Sequence, residues 1–443
     1  MYETISIEEM NKPAVALVNE GFMNDARSAS SSKGWPGLRI VSESVPPECN
    51  LVEKIDTCIS KAMEDIISAL TRPLTQEEKS PKPKEMEIFS RIAFKGNLDE
   101  VNRFFYKRGW TDGLPIVPPT EEALDEMLKG IDLPRDHLVA EIFPRLGKAT
   151  IEKIAINAVM AGALPTYMPV LVAGVQALMD PDSRFGVFEV STGSWAPFYI
   201  LNGPIRHDLN VNSGQGALSP GDIANAAIGR AMGLIVKNIG GARKGIEDMG
   251  VMGNPGKYTL VIAENEEASH LEPLHVEQGF HKYDSTITVS FPNSYYQFMP
   301  YGTDDQGLLR SVIYNLLPGM RTCWLIINPS HAAFMSKWSK KDMADFISRH
   351  ALTPVHRKPQ FYGNYPDQPQ PPGIFLDAGD NIPILSDPSA IKIIVAGGAG
   401  MFMGVLFGGT GNHGPITKKI ELPSHWDELV KKYKNVVPVY VRY

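Results

Sequence analysis

Cysteine is scarce. Cys49, Cys58 and Cys323 are the three in 443 residues, too few for a disulfide scaffold. Basic charge is not in excess either. Lys and Arg number 43 against 50 Asp and Glu, a net charge of -7 that carries no electrostatic footprint for nucleic acid. The opening MYETISIEEMNK lacks the basic and apolar regions of a secretory signal, so a cytoplasmic location is expected. One uncharged run, Ile393 to Gly411, is long enough to cross a bilayer. It is too rich in glycine for a membrane helix. The expectation is a buried strand over its first four residues, then a glycine-rich loop that approaches a ligand. The common catalytic signatures are missing as well: no P-loop, no G-x-S-x-G elbow and no H-E-x-x-H. GGAG at 397–400 follows a strand pattern but lacks dinucleotide-binding spacing.

The first eighty residues also lack half of a domain. Pro13 to Asn19 reads as a buried strand, Asn24 to Lys33 as a short helix, Leu38 to Val41 as a second strand and Leu51 to Leu70 as an amphipathic helix. Two strands and two helices cannot cover both faces of a parallel sheet. The rest is expected from later in this polypeptide or from another one. Arg72 to Glu87 is proline-rich and charged, so residues 1–75 are read as half an α/β domain, 76–88 as a linker and 89–443 as a larger α/β domain. There, helices are expected over Ala149–Met160, Met168–Leu178, Asp222–Ile235 and Lys340–His350. Strands are expected over Tyr258–Ala263, Ser285–Phe291, Arg321–Ile327 and Ile391–Ala396. Gln360 to Gly373 reads as an extended arm or a long surface loop. No short-period repeat is visible.

Several polar groups could carry chemistry. In Tyr106 to Thr120 the prolines stiffen a loop presenting Trp110 and Asp112, either as a pocket wall or as a strap capping the core. Gly240 and Gly241 begin a glycine-rich loop to Gly256 whose amides could bind an anion beside Arg230 and Arg243, or merely allow close packing. His270, Glu272, His275 and Glu277 lie close in sequence. Zinc-like binding through His270, His275 and Glu277 is one reading, though the spacing matches no common metal motif. General acid/base work by His275 with Glu264 or Glu277 is the other. Ser330-His331 and Asn412-His413 each follow an apolar run, where α/β proteins place ligands. None of the three cysteines looks like an activated nucleophile.

Long stretches carry a family resemblance: YKRGWTDGLPIVPPT (106–120), TIEKIAINAVMAGALPTYMPVL (150–171), LNGPI (201–205), ANAAIGRAMGLIVKNIGG (224–241), GNPGKYTLVIAENEEASHLEPLHVEQGF (253–280) and IIVAGGAG (393–400). They resemble the large carboxy-terminal region of the UGSC family of bacterial selenoproteins and their cysteine homologues, from about residue 11 onward. Residues 11–75 look like the part of the family's flavodoxin-like domain that follows its selenocysteine- or cysteine-Gly-Ser-Cys motif. The motif itself is not in this sequence. The resemblance therefore implies a partial flavodoxin-like parallel sheet before a larger α/β domain. It also implies a large subunit of a heteromeric thiol- or selenol-dependent enzyme whose small subunit supplies the reactive residue. Reaction types in keeping with it are redox exchange at sulfur, carbon–sulfur bond chemistry, or lyase or hydrolase work through a covalent thiol intermediate. His275, Glu264 and Asp112 are the expected catalytic residues. Trp110, Asn157, Asn202, Arg230, Gly240, Gly241, Asn265 and Glu277 are expected around a small-molecule substrate. No cofactor, nucleic acid or membrane is expected. The alternatives are a metal-dependent hydrolase or lyase and a non-catalytic binding or scaffold paralogue.

Overall fold

The structure is a computed structural model that describes residues 2–46, 52–79, 91–300, 304–318, 320–354, 381–408 and 414–437. The chain is α/β. Its amino-terminal unit carries the expected strand–helix–strand–helix order around a two-stranded sheet. Strands β1 (Ala16–Asn19) and β2 (Ile40–Glu43) pair in parallel, joined by the helix Met23–Ser32. The helix Val52–Thr71 lays Ala62, Ile66 and Ala69, one face at helical spacing, over Val15 and Val41. This core is small. Leu17 is 41% exposed, and Met63, Ile67 and Leu70 also reach solvent. Independent stability normally needs three or more strands with a covered apolar face. The second strand begins two residues later than the sequence pattern suggests. The expected linker starts with a helical turn, Gln76–Lys79, in which Glu78 pairs with Arg72; the rest of it, and the Gln360–Gly373 stretch, lie outside the described residues.

In the larger part, β3 (Leu138–Ile142) and β4 (Gly147–Thr150) form a hairpin that leads into the helix Ile151–Ala161. The main strands are β5 (Phe198–Asn202), β6 (Val261–Ala263), β7 (Thr286–Ser290), β8 (Ser294–Phe298) and β9 (Cys323–Ile327). A short hairpin follows, β10 (Leu352–Pro354) with β11 (Asn381–Pro383). Then come β12 (Ile391–Val395), β13 (Met403–Phe407) and β14 (Ile416–Lys419). They make two four-stranded sheets, ordered β14-β7-β5-β6 and β12-β9-β13-β8.

Side-chain alternation along each strand stacks these sheets into four layers. Tyr199, Leu201, Val261, Ala263, Ile287 and Val289 pack outward against the helices Ile151–Ala161, Met168–Leu178 and Ile223–Asn238. Leu325, Ile327, Ile393, Val395 and Val405 pack outward against the helices Asp305–Asn315 and Lys340–His350. Between the sheets lie Phe198, Ile200, Ile262, Trp324, Ile326, Ile394 and Leu406. Trp324 is fully buried there, edge-to-face with Phe198 at 5.8 Å, and its indole N–H donates to Ser290 Oγ at 3.0 Å. Strands covered on both faces explain why these runs are nearly continuous in apolar residues.

The two sheets are copies of one plan. In each, a central strand pairs in parallel with an edge strand and antiparallel with the other central strand: β5 with β6 and β7, β9 with β12 and β13. The pair Leu201↔Ala263 matches Ile327↔Val395, and Tyr199↔Val289 matches Leu325↔Val405. This register sets Phe198 on Trp324, Asn202 on Asn328 and Glu264 on Ala396. The fourth strand is exchanged: β8 leaves the first copy to pair with β13, and β14 leaves the second to pair with β7.

The expected helices all form. Tyr258–Ala263 shortens to Val261–Ala263 because Pro255–Lys257 makes a 3-10 turn before it. The run Ile393–Gly411 holds two strands rather than one, with glycines turning the chain between β12 and β13. Among the described residues no helix is long and apolar enough to cross a membrane.

Candidate functional site

Helix Ile223–Asn238 packs against the amino-terminal ends of β5 and β6. Small residues on that helix let the chain come close: a Cβ on Gly229 would lie 2.3 Å from Thr259 Oγ1. Beside this contact opens a cavity of about 170 Å³, closed by the segment 242–257 and by Asp112 from the Tyr106–Thr120 loop. Its walls are mostly apolar, with Pro197, Met232 and Leu260 among them, and a few polar groups converge on it.

Glu189 ends the short helix Phe185–Glu189 and is 5% exposed. Lys257 Nζ stands 3.4 Å from Glu189 Oε1 and 2.8 Å from Asp248 Oδ2. Burial pushes the Glu189 carboxyl up to about 7; Lys257 pulls against the rise and the Asp248 charge adds to it. Tyr199 projects from β5, and its buried hydroxyl has no partner among the described residues. Burial, with Glu189 second, holds that phenol well above its ordinary range. A carboxyl titrating near neutrality, beside an ammonium and an unpaired phenol, can donate and accept a proton in a mostly apolar site.

Asp112 and Arg230 reach this cavity as a bidentate pair, Nε–Oδ2 2.8 Å and Nη2–Oδ1 3.0 Å, with Nη2 also donating to the Pro115 carbonyl. The pair ties the stiff loop to the helix. Asn238 completes the tie by donating to the Trp110 carbonyl and to Asn157 Oδ1. Asn157 and Trp110 therefore support the wall without lining the cavity. The Trp110 ring sits edge-to-face with Phe104 and Phe105.

The glycine-rich segment divides in two. Gly240 and Gly241 do not line the cavity. Cβ atoms there would meet the Phe143 carbonyl oxygen at 2.4 Å and Arg145 Cδ at 2.5 Å, which is the close-packing role. Ala242, Lys244, Asp248 and Gly256 do line it. Arg243 is not free for an anion. Its guanidinium is bound to Glu247, which also accepts from Ser28 Oγ at 2.6 Å. That bond docks the amino-terminal unit on the cavity-lining segment. Burial, with the Glu247 charge second, pushes the nearby Asp25 up to about 6.

The other expected residues gather elsewhere, at the carboxyl ends of β5 and β6. Glu264 is buried and fully paired: Oε1 receives Lys340 Nζ at 3.0 Å, and Oε2 receives Asn202 Nδ2 and the Leu274 amide, both at 2.7 Å. Lys340 also reaches Glu277 Oε2 at 2.9 Å. Glu266 accepts from Asn202 Nδ2 and the Gly203 amide. The Asn265 amide donates to the Val395 carbonyl, joining the sheets. His275 is fully buried, with Nε2 3.2 Å from the Lys282 carbonyl and Nδ1 without a partner among the described residues. The expected pairing of His275 with Glu264 or Glu277 is not formed; Lys340 takes that place. The alternative metal set does not converge either. His270 lies against the Met335 carbonyl and Glu277 against Lys340, and among the described residues no group of three His, Cys, Asp or Glu could hold a metal. Cys323 is buried with its thiol pushed up to about 12, Cys58 lies on a helix, and Cys49 and Asn412-His413 fall outside the described residues. Ser330 and His331 lie on the short helix after β9.

Glu189, Lys257, Tyr199 and Lys340 were not singled out by the sequence. Two carried a signal. Glu189 interrupts the apolar run FGVFEV, and Lys340 opens a helix, where the dipole disfavours a cation.

Compared with protein-family models, curated proteins and solved structures, the chain matches none of them.

Proposed function

We propose that this chain is the large subunit of a heteromeric, cytoplasmic, thiol- or selenol-dependent enzyme that acts on a small molecule, as its resemblance to the UGSC proteins implies. The observation that carries this reading is the placement of the half sheet. Its small core leaves Leu17 of β1 and Met63, Ile67 and Leu70 of the covering helix exposed, and it sits through Ser28 on the segment that lines the Glu189 cavity.

In a parallel sheet all carboxyl ends share one edge, where α/β proteins place their reactive groups. The helix Met23–Ser32 follows the carboxyl end of β1 and rests on Glu247. A strand added in parallel beside β1 or β2 ends on the same edge. A Cys or Sec at its end then faces the segment 242–257. The incoming strand is flavodoxin-like in this reading and belongs to a small subunit bearing the Cys/Sec-Gly-Ser-Cys motif. Its thiolate or selenolate is the nucleophile. Glu189 is the proton donor to the leaving atom and, once ionised, the base for the next step. Asp112 and Arg230 hold the cavity wall.

The test is reconstitution with a small subunit carrying the motif. A stable complex is expected, with slowed amide exchange in β1 and β2 and turnover that a Cys/Sec→Ser change in the motif abolishes. Full activity of this chain without such a subunit, or unchanged exchange in both strands on mixing, overturns the proposal.

A further inference from the structure

The two copies of the sheet plan treat their equivalent positions oppositely. At the carboxyl ends of β5 and β6 the chain fills the space with its own charges. Glu264 takes Lys340 from the second copy, and Glu266 caps Asn202 and Gly203. At the equivalent ends of β9 and β12, Ala396 stands where Glu264 does, and Gly398 where Glu266 does. The cross-copy contact changes in the same way. Gln215, from the first copy, lies against Gly398, where a Cβ would sit 1.8 Å from its Oε1. Carboxylate and cation are both gone, and a cavity of about 370 Å³ is left.

Its lining has a definite chemistry. Among the described residues, no Asp, Glu, Lys, Arg or His contributes to it. A charged ligand would find no countercharge among these residues. The polar groups are the amides of Gln215 and Gln297, the hydroxyl groups of Ser219 and Tyr295, and the loop backbone. Asn328 fixes that loop by donating to the Gly400 and Phe402 carbonyls. The amides of Gly398, Ala399, Gly400 and Met401 find no acceptor among the described residues. Amide and peptide edges offer adjacent donors and acceptors, and the Tyr295 and Phe402 rings offer flat faces.

The geometry points to a second small-molecule site at the carboxyl ends of β9 and β12, taking an uncharged planar nitrogen heterocycle. It is separate from the Glu189 cavity, with which it shares no lining residue.

Calorimetric titration of the full chain with uridine, adenosine and nicotinamide tests the site, with UMP and AMP as charged counterparts. A Cβ on Gly400 meets nothing within 4 Å, so Gly400→Val narrows the cavity without a backbone clash. Gln297→Leu, at an exposed strand position, removes one amide and serves if the first variant fails to fold. Saturable binding of at least one neutral probe is expected, about tenfold or more weaker in either folded variant and weaker still for the phosphorylated counterpart. No saturable binding of any neutral probe, binding untouched by the variants, or equal binding of the charged counterpart overturns the assignment.

Discussion

Glu189 shows how one side chain can be both a cost to the fold and the means of its chemistry. Its carboxyl is raised from the ordinary value of 4.5 to about 7 because burial penalises the anion more than Lys257 rewards it. A group protonated more readily folded than unfolded stabilises the fold below its unfolded value. That advantage disappears as pH rises through the folded value. Thermal unfolding should therefore show Glu189→Gln gaining stability over the parent at pH 8, on the order of 1–3 kcal/mol, and little at pH 4. In the reconstituted enzyme the same change should lower turnover by about 10²–10⁴-fold and remove the inflection near neutral pH from the rate profile. Lys340 is the opposite case. Its ammonium balances Glu264, which is 2% exposed. Lys340→Met leaves that carboxylate buried without its countercharge, held only by Asn202 and the Leu274 amide, at a cost of about 3–5 kcal/mol in urea unfolding. Asp112 and Arg230 could be found in the sequence because a proline-stiffened turn and a helix announce themselves locally. Glu189, Lys257 and Asp248 come from separate segments and become a group only when β5, β6 and their loops are packed.

Among elements, the amino-terminal unit has a far smaller buried core than the sheets it accompanies. Ser28 is bonded to Glu247, and Asp25 is raised from 3.8 to about 6 by burial first and by that same carboxylate second. The sign is again that of a raised acid: docking is strongest while Asp25 is protonated and weakens as pH passes about 6. Amide exchange over Met23–Ser32 should quicken between pH 5 and pH 7, after correction for the intrinsic rate. Asp25→Asn should flatten that dependence. Helices such as Ile151–Ala161 and Lys340–His350 were legible because their apolar spacing is helical and their ends are capped, Lys340–His350 by a full capping box on Ser339. Strands β8 and β14 were not. They lie at sheet edges and carry polar residues, SYYQF and ITKK, that leave little apolar alternation to read. Strand β13 was hidden among glycines that looked like loop.

At the scale of the molecule, the exchanged strands decide how it comes apart. Each four-stranded sheet borrows β8 or β14 from the other copy, and Trp324 and Phe198, equivalent residues of the two copies, meet between the sheets. Neither copy can leave without breaking a sheet in its partner. The two copies share few identities in the sequence, Asn202 with Asn328, Val289 with Val405 and Phe291 with Phe407 among them. What the copies share is a pattern of burial and pairing rather than side chains, so it becomes visible only in the strand register. Cutting into this shared core should therefore act on both sheets together. Trp324→Ala removes a fully buried ring and leaves Ser290 Oγ without its indole donor, which costs about 3–5 kcal/mol. Denaturant unfolding followed by amide exchange should show β5–β7 and β9–β13 losing protection at one shared midpoint, lower than in the parent. Separate midpoints for the two sheets would mean that β8 and β14 do not couple them, and that the two copies are independent domains lying side by side.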